Sequence, residues 1–237
     1  RAYTPKEYGA PEQNWAIEQD DRGVIYVGNN AGVLEYDGAS WRRIELPNRA
    51  TVRSLAQDSN GRIYAGGVSD FGYLEPEAKG AMRFVSLIDR VPAEARTFGD
   101  VWRTHALADG VYFQSEMALF RWSNGTIRVW KPAVRFNRAA AVNGKLYLTQ
   151  PGVGLTELVG DTFRTLPGTE PLGTETFGVI LPHDDRRILV GTRNNGLLLY
   201  DGAALTPFKT EVDQQIAAHD LYRGTELPDG TVALTTA

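Results

Sequence analysis

Four arginines recur at comparable points in the chain: Arg53, Arg103, Arg138 and Arg223 each stand six to eight residues before the turn glycine of their own segment. A guanidinium is a planar fork of donors that pairs bidentately with carboxylate or sulfate. Forks that converge would therefore suit an acidic sugar, another anionic small molecule, or the acidic side chains of a partner. Trp102 directly precedes Arg103, and Trp15 opens an equivalent run, so aromatic faces fall where guanidinium groups and sugar rings stack. Arg193 and Asn194 lie in a polar R-N-N-G hairpin loop at 193–196. The candidate ligand-binding set is Arg53, Trp102, Arg103, Arg138, Arg193, Asn194 and Arg223. The same arginines admit a structural reading, in which they form salt bridges with nearby Asp and Glu between neighbouring sheets.

Other chemistries find less support. The chain has no cysteine, which removes disulfides and thiolate metal sites. His105, His183 and His219 are scattered without an H-x-x-x-H pair, so no zinc site is expected. The acidic turns Asp20-Asp21, Asp58 and Asp184-Asp185 lack calcium-loop spacing and read as Asx turns. There is no G-x-S-x-G elbow, no G-K-[ST] phosphate loop and no S-x-D-x-G-x-x-W box. No catalytic residue, cofactor or metal is assigned.

The elements that would position these residues repeat. NWAIEQDDRGVIYVGNNAGVLEYDGASWRRIELP (14–47) is echoed from residue 52 onward, and VGNNAGVLEYDGAS returns almost intact as VGTRNNGLLLYDGAA. Each copy holds short strand-like runs bounded by D-G, N-G and D-x-x-G, the dipeptides that supply positive φ in tight hairpins. The expected fold is an all-β propeller of four-stranded antiparallel blades, at about 14–47, 52–86, 101–130, 136–166, 177–208 and an incomplete 221–237. Five and a half blades suggest an incomplete ring, seven when closed, with residues 1–13 as the closing outer strand. SLIDRVPAEARTF (86–98) has room for a helical turn but is interrupted by Pro92.

The D-x-x-G-x-I-Y-x-G-x-x-x-G-x-x-x-Y-D-G signature at 20–38, its return at 184–202 and VWRTHALADGVYFQSEMALFRW at 101–122 resemble the two-component regulator propeller repeats. The resemblance implies a periplasmic sensory region of an inner-membrane receptor of hybrid histidine kinase type. Such a region detects a glycan or other anionic small molecule and transmits by rearrangement of a dimer. It also implies that the region itself is not an enzyme and that membrane and output segments lie outside this sequence. A formal charge of −4 over 237 residues offers no basic field for nucleic acid, and no apolar run has bilayer-spanning length. Two other readings stay open: a propeller lyase or hydrolase acting on a sugar or lactone, and a protein–protein interaction scaffold.

Overall fold

The computed structural model describes residues 2–78, 80–227 and 229–236. The fold is an all-β propeller architecture: the described residues form five four-stranded antiparallel sheets and one two-stranded sheet, each with its strands in sequence order. The chain divides into two compact units, Arg1–Ala133 and Val134–Ala237.

The first unit holds three sheets. They are β1 (Asn14–Gln19), β2 (Ile25–Asn29), β3 (Gly32–Tyr36) and β4 (Trp41–Ile44); then β5 (Val52–Gln57), β6 (Ile63–Gly67), β7 (Phe71–Pro76) and β8 (Met82–Ser86); then β9 (Arg103–Leu107), β10 (Gly110–Gln114), β11 (Leu119–Ser123) and β12 (Thr126–Trp130). The second unit continues with β13 (Arg138–Val142), β14 (Lys145–Gln150), β15 (Gly154–Val159) and β16 (Thr162–Thr165). After these come β17 (Phe177–Pro182), β18 (Ile188–Thr192), β19 (Gly196–Tyr200) and β20 (Leu205–Pro207), and finally β21 (Leu221–Glu226) and β22 (Val232–Thr236).

The turns form for the reason their sequence suggests. Asp20 Oδ1 accepts the N–H groups of Arg22 and Val24, both at 3.0 Å, and Asp58 Oδ1 accepts those of Asn60 and Arg62 at 2.9 and 3.0 Å. Asp184 does the same for Arg186 and Arg187. These carboxylates are occupied by their own loops, which is what an Asx turn requires.

Within each unit the sheets bury their faces against one another. Tyr26, Val33 and Ile44 of the first sheet share a core with Leu55, Ile63 and Leu74 of the second. Phe71 packs at 4.4 Å, ring to ring, on Phe113 of the third sheet. In the second unit Tyr147 and Leu155 meet Phe177 and Val190, while Val179 and Leu189 meet Leu221. Each such fully buried side chain contributes roughly 1.5–3 kcal/mol, so burial on both faces carries the fold. The innermost strands run side by side: β5 lies between β1 and β9, and β17 between β13 and β21.

Two segments differ from expectation. Where residues 1–13 were expected as an outer strand, the described part forms helix α1 (Pro5–Tyr8), and the first strand begins only at Asn14. Pro5 has no N–H to give a sheet ladder but suits a helix start, and Glu7 reaches back to accept the Thr4 N–H at 2.8 Å. The Tyr3 hydroxyl donates to that of Tyr36, fixing the segment to β3. A second helix, α2 (Asp213–Ala218), follows β20 where no helix was expected. Around Pro92 the chain makes two short 3-10 turns, Ile88–Arg90 and Ala93–Ala95.

The Y-x-G element of the repeat has a steric cause. A Cβ on Gly66 would stand 2.4 Å from Val101 Cγ1 and 2.6 Å from Ser54 Oγ. Gly66→Ala is therefore expected to lower stability by about 1–3 kcal/mol, read as a lower urea midpoint with unchanged m-value.

Candidate functional site

In the first unit Arg53 is the second residue of β5, Trp15 the second of β1, and Trp102 immediately precedes β9. Because these inner strands are neighbours, the three side chains meet. The Arg53 guanidinium lies 3.9 Å from the Trp15 ring centre and 5.0 Å from that of Trp102, and the two indoles stand edge to face at 6.2 Å. Arg53 Nε donates to Asp100 Oδ2 at 2.8 Å, with both side chains largely covered, 17% and 22% exposed. Arg53 NH1 is buried without a hydrogen-bond partner among the described residues. Trp15 Nε1 donates to Asn30 Oδ1 at 2.8 Å. Arg103 turns back, its NH1 donating to the Trp102 carbonyl at 2.8 Å. The cluster is thus a cation set in the corner of two indoles and matched by one carboxylate.

The second unit differs in its charge balance. Arg138 opens β13 and sends NH1 to the Gly178 carbonyl of β17 at 2.7 Å. Arg223, the third residue of β21, is close enough for its charge to act on Arg138. Burial and then Arg223 pull the Arg138 guanidinium down to about 10, which still leaves it a cation at neutral pH. Neither arginine forms an ion pair among the described residues, and Arg223 Nε is buried with no hydrogen-bond partner. Tyr222, about half exposed, lies beside both, with its ring centre 5.5 Å from the Arg223 guanidinium carbon. Among the described residues these two half-buried cations have no carboxylate counter-ion, which leaves their charges uncompensated within the unit.

Arg193 and Asn194 sit at the same end of their sheet as these strand entries, because Thr192 pairs with Phe177 across β17 and β18. Both are engaged: Arg193 with Asp220, just ahead of β21, and Asn194 Nδ2 with Glu175 Oε2 at 3.2 Å. The seven candidates thus fall into two groups. Arg53, Trp102 and Arg103 assemble in the first unit. In the second, Arg138 and Arg223 lie together, with Arg193 and Asn194 in the neighbouring loop. Of the aromatic residues at strand entries, Phe136 and Phe177 are core. Asp70, in a second-to-third strand loop, is buried, and burial raises its carboxyl above the usual range while the Ser86 hydroxyl donates to it at 2.6 Å. Sequence reasoning missed Asp100 as the acceptor for Arg53, since no local spacing connects positions 47 apart.

No family model and no curated protein matches the sequence. Solved structures do match the fold. The WD40 β-propeller domain of Doa1 is 15% identical, with a TM-score of 0.69 over 95% of this chain and 76% of that one. The extracellular domain of the putative hybrid two component system BT3049 from B. thetaiotaomicron is 14% identical, with a TM-score of 0.67 over 100% of this chain and 34% of that one. This chain therefore spans about a third of that receptor domain. A streptogramin B lyase is 12% identical, with a TM-score of 0.65 over 98% of this chain and 78% of that one. These likenesses establish the propeller fold, a scaffold that serves ligand binding and catalysis alike. They also correct the expectation that the region is not an enzyme: a structure named as a lyase matches 98% of this chain at a TM-score of 0.65, beside 0.67 for the receptor domain, so that exclusion falls.

Arg53→Ala should unfold at lower urea, by about 1–3 kcal/mol given the partial exposure of its ion pair, with tryptophan emission shifted to the red as the indoles open to water. Asp100→Asn in the Arg53→Ala background should add little, which a double-mutant cycle measures.

Proposed function

We propose that this chain is a ligand-recognising propeller region that captures a carboxylate- or sulfate-bearing small molecule, such as an acidic glycan fragment, at Arg138 and Arg223. The observation that carries the reading is a pair of guanidinium groups in electrostatic reach of each other that no carboxylate among the described residues neutralises. Retaining two like charges in a half-buried position costs stability, and an anion reverses that cost. The repeat signature at 20–38 and 184–202 and the likeness to a receptor's extracellular domain support placing this recognition in the periplasmic part of an inner-membrane two-component receptor. There the bound anion would favour one arrangement of a dimer over another and so report its presence.

A second reading is favoured by the streptogramin B lyase likeness. A cation pair that holds a carboxylate also stabilises negative charge developing on the adjacent carbon, the requirement for elimination from a uronate or opening of a lactone. Tyr222, about half exposed beside the Arg223 guanidinium, is the side chain whose hydroxyl would meet such a substrate.

Calorimetric titration with glucuronate, galacturonate and a sulfated monosaccharide, against their neutral parents, tests the site. The acids should bind and the neutral sugars should not, with affinity falling as salt rises. Arg138→Ala and Arg223→Ala should each weaken binding about 10- to 100-fold, the size expected of a lost charge-assisted hydrogen bond. Because only the charged guanidinium attracts the anion, affinity should hold through neutral pH and fall as pH rises past about 10. Equal binding of acids and neutral sugars would sink the reading. Recovery of the ligand unchanged supports sensing, whereas an unsaturated or ring-opened product that Tyr222→Phe abolishes supports the lyase reading.

A further inference from the structure

The Val134–Ala237 unit contains a second cleft whose chemistry differs from that of the arginine pair. Its volume is about 390 Å³, at the small end of ligand pockets, and it opens beside the β18–β19 hairpin and α2. Two ion pairs edge it: Arg193 with Asp220, and Lys209 with Asp213, whose Nζ and Oδ2 are 3.5 Å apart. Leu197, Phe208 and Ile216 supply an apolar wall, with Leu197 and Ile216 buried in a core against which Phe208 packs.

The charges on these edges sum to zero, two cations against two carboxylates. A simple anion would meet two carboxylates as well as two cations, and a neutral polyol would gain no charge-assisted bond. Both pairs are solvent-exposed, Lys209 at 82% and Arg193 at 54%, so each is weakly held and readily exchanged for a better partner. Asp213 Oδ1 is already engaged by the Thr210 N–H and hydroxyl, at 3.0 and 2.9 Å, which orients the carboxylate and leaves Oδ2 for a cation. Those Thr210 contacts also hold the carboxyl below its usual range, so it stays ionised.

We propose that this cleft binds a zwitterionic amino acid or short peptide with an apolar side chain. Its carboxylate lies on the Arg193 fork, its ammonium replaces Lys209 at Asp213, and its side chain rests on Phe208 and Ile216. This ligand class matches both signs of charge and the apolar wall together.

Saturation-transfer NMR and calorimetry on the whole chain with L-leucine, L-phenylalanine and Leu-Leu test the proposal, beside isovalerate, isopentylamine, glucose and galactose. The amino acids or the dipeptide should bind, and the analogues carrying one charge should bind at least tenfold more weakly. Asp213→Asn should lower amino-acid affinity tenfold or more. Arg193→Gln, in the β18–β19 loop away from α2, should do the same and guards against a helix that merely frays. Arg138→Ala should leave amino-acid binding unchanged, so failure of the anion site and failure of this one are separable. Binding of glucose or galactose at this cleft in place of amino acids, equal binding of the one-charge analogues, or no amino-acid binding would each overturn the proposal.

Discussion

The close approach of neighbouring inner strands is the constraint on which the rest of the structure depends. In the first unit Ser54 Oγ on β5 makes a 2.8 Å hydrogen bond to the Val101 carbonyl and a 2.8 Å contact with Thr104 Oγ1, tying one sheet to the next. In the second, a Cβ on Gly178 would fall 2.5 Å from the Leu221 carbonyl oxygen. Side chains of ordinary size are excluded from such places, so larger groups collect at the strand entries. Arg53 there meets two tryptophans, and Arg138 there meets a carbonyl within electrostatic reach of a second arginine. The clusters follow from backbone packing that has no space for them elsewhere.

Much of the fold was legible in the sequence because its signal is local. An aspartate two to four residues before the N–H groups it binds leaves a recognisable string, and the hairpins at Asp20, Asp58 and Asp184 follow it. The near-copy of VGNNAGVLEYDGAS maps onto β2–β3 and then β18–β19. The glycine two residues after Tyr26 and after Tyr64 was visible as a repeat, but its cause was not, since Gly28 is closely approached by Val52 of β5 and Gly66 by Val101, just ahead of β9. Helix α2 escaped notice because DQQIAA buries a single apolar residue, Ile216, and one residue makes no period. The short α1 depends on capping by Thr4 and Glu7, which a pattern of apolar residues does not register.

The candidate site was legible in position and illegible in charge. Arg53, Arg103, Arg138 and Arg223 all stand among the first three residues of inner strands, as their spacing before the turn glycine indicated. What each one faces depends on residues far away in sequence. Asp100 comes to Arg53 from a different sheet's entry loop, and Arg223 comes to Arg138 across the width of β17. Identical residue types at comparable repeat positions thus acquire unlike surroundings.

That divergence bears on how a repeat protein acquires function. Sheet-to-sheet contacts set the stability of such an array nearly one neighbour at a time, so a strand entry can change its chemistry while the packing beneath it persists. Around Arg53 the surroundings have converged on neutralisation: two indole faces and a carboxylate hold one cation, and the arrangement joins three successive inner strands. Around Arg138 no carboxylate among the described residues does so, and the half-buried like charges are a standing cost that packing alone does not explain. A wholly structural arginine would gain from a nearby carboxylate, as Arg53 does. The persistence of an unneutralised pair, one repeat position comparable to a neutralised one, is the physical reason to look for the anion there and not at the tryptophan corner.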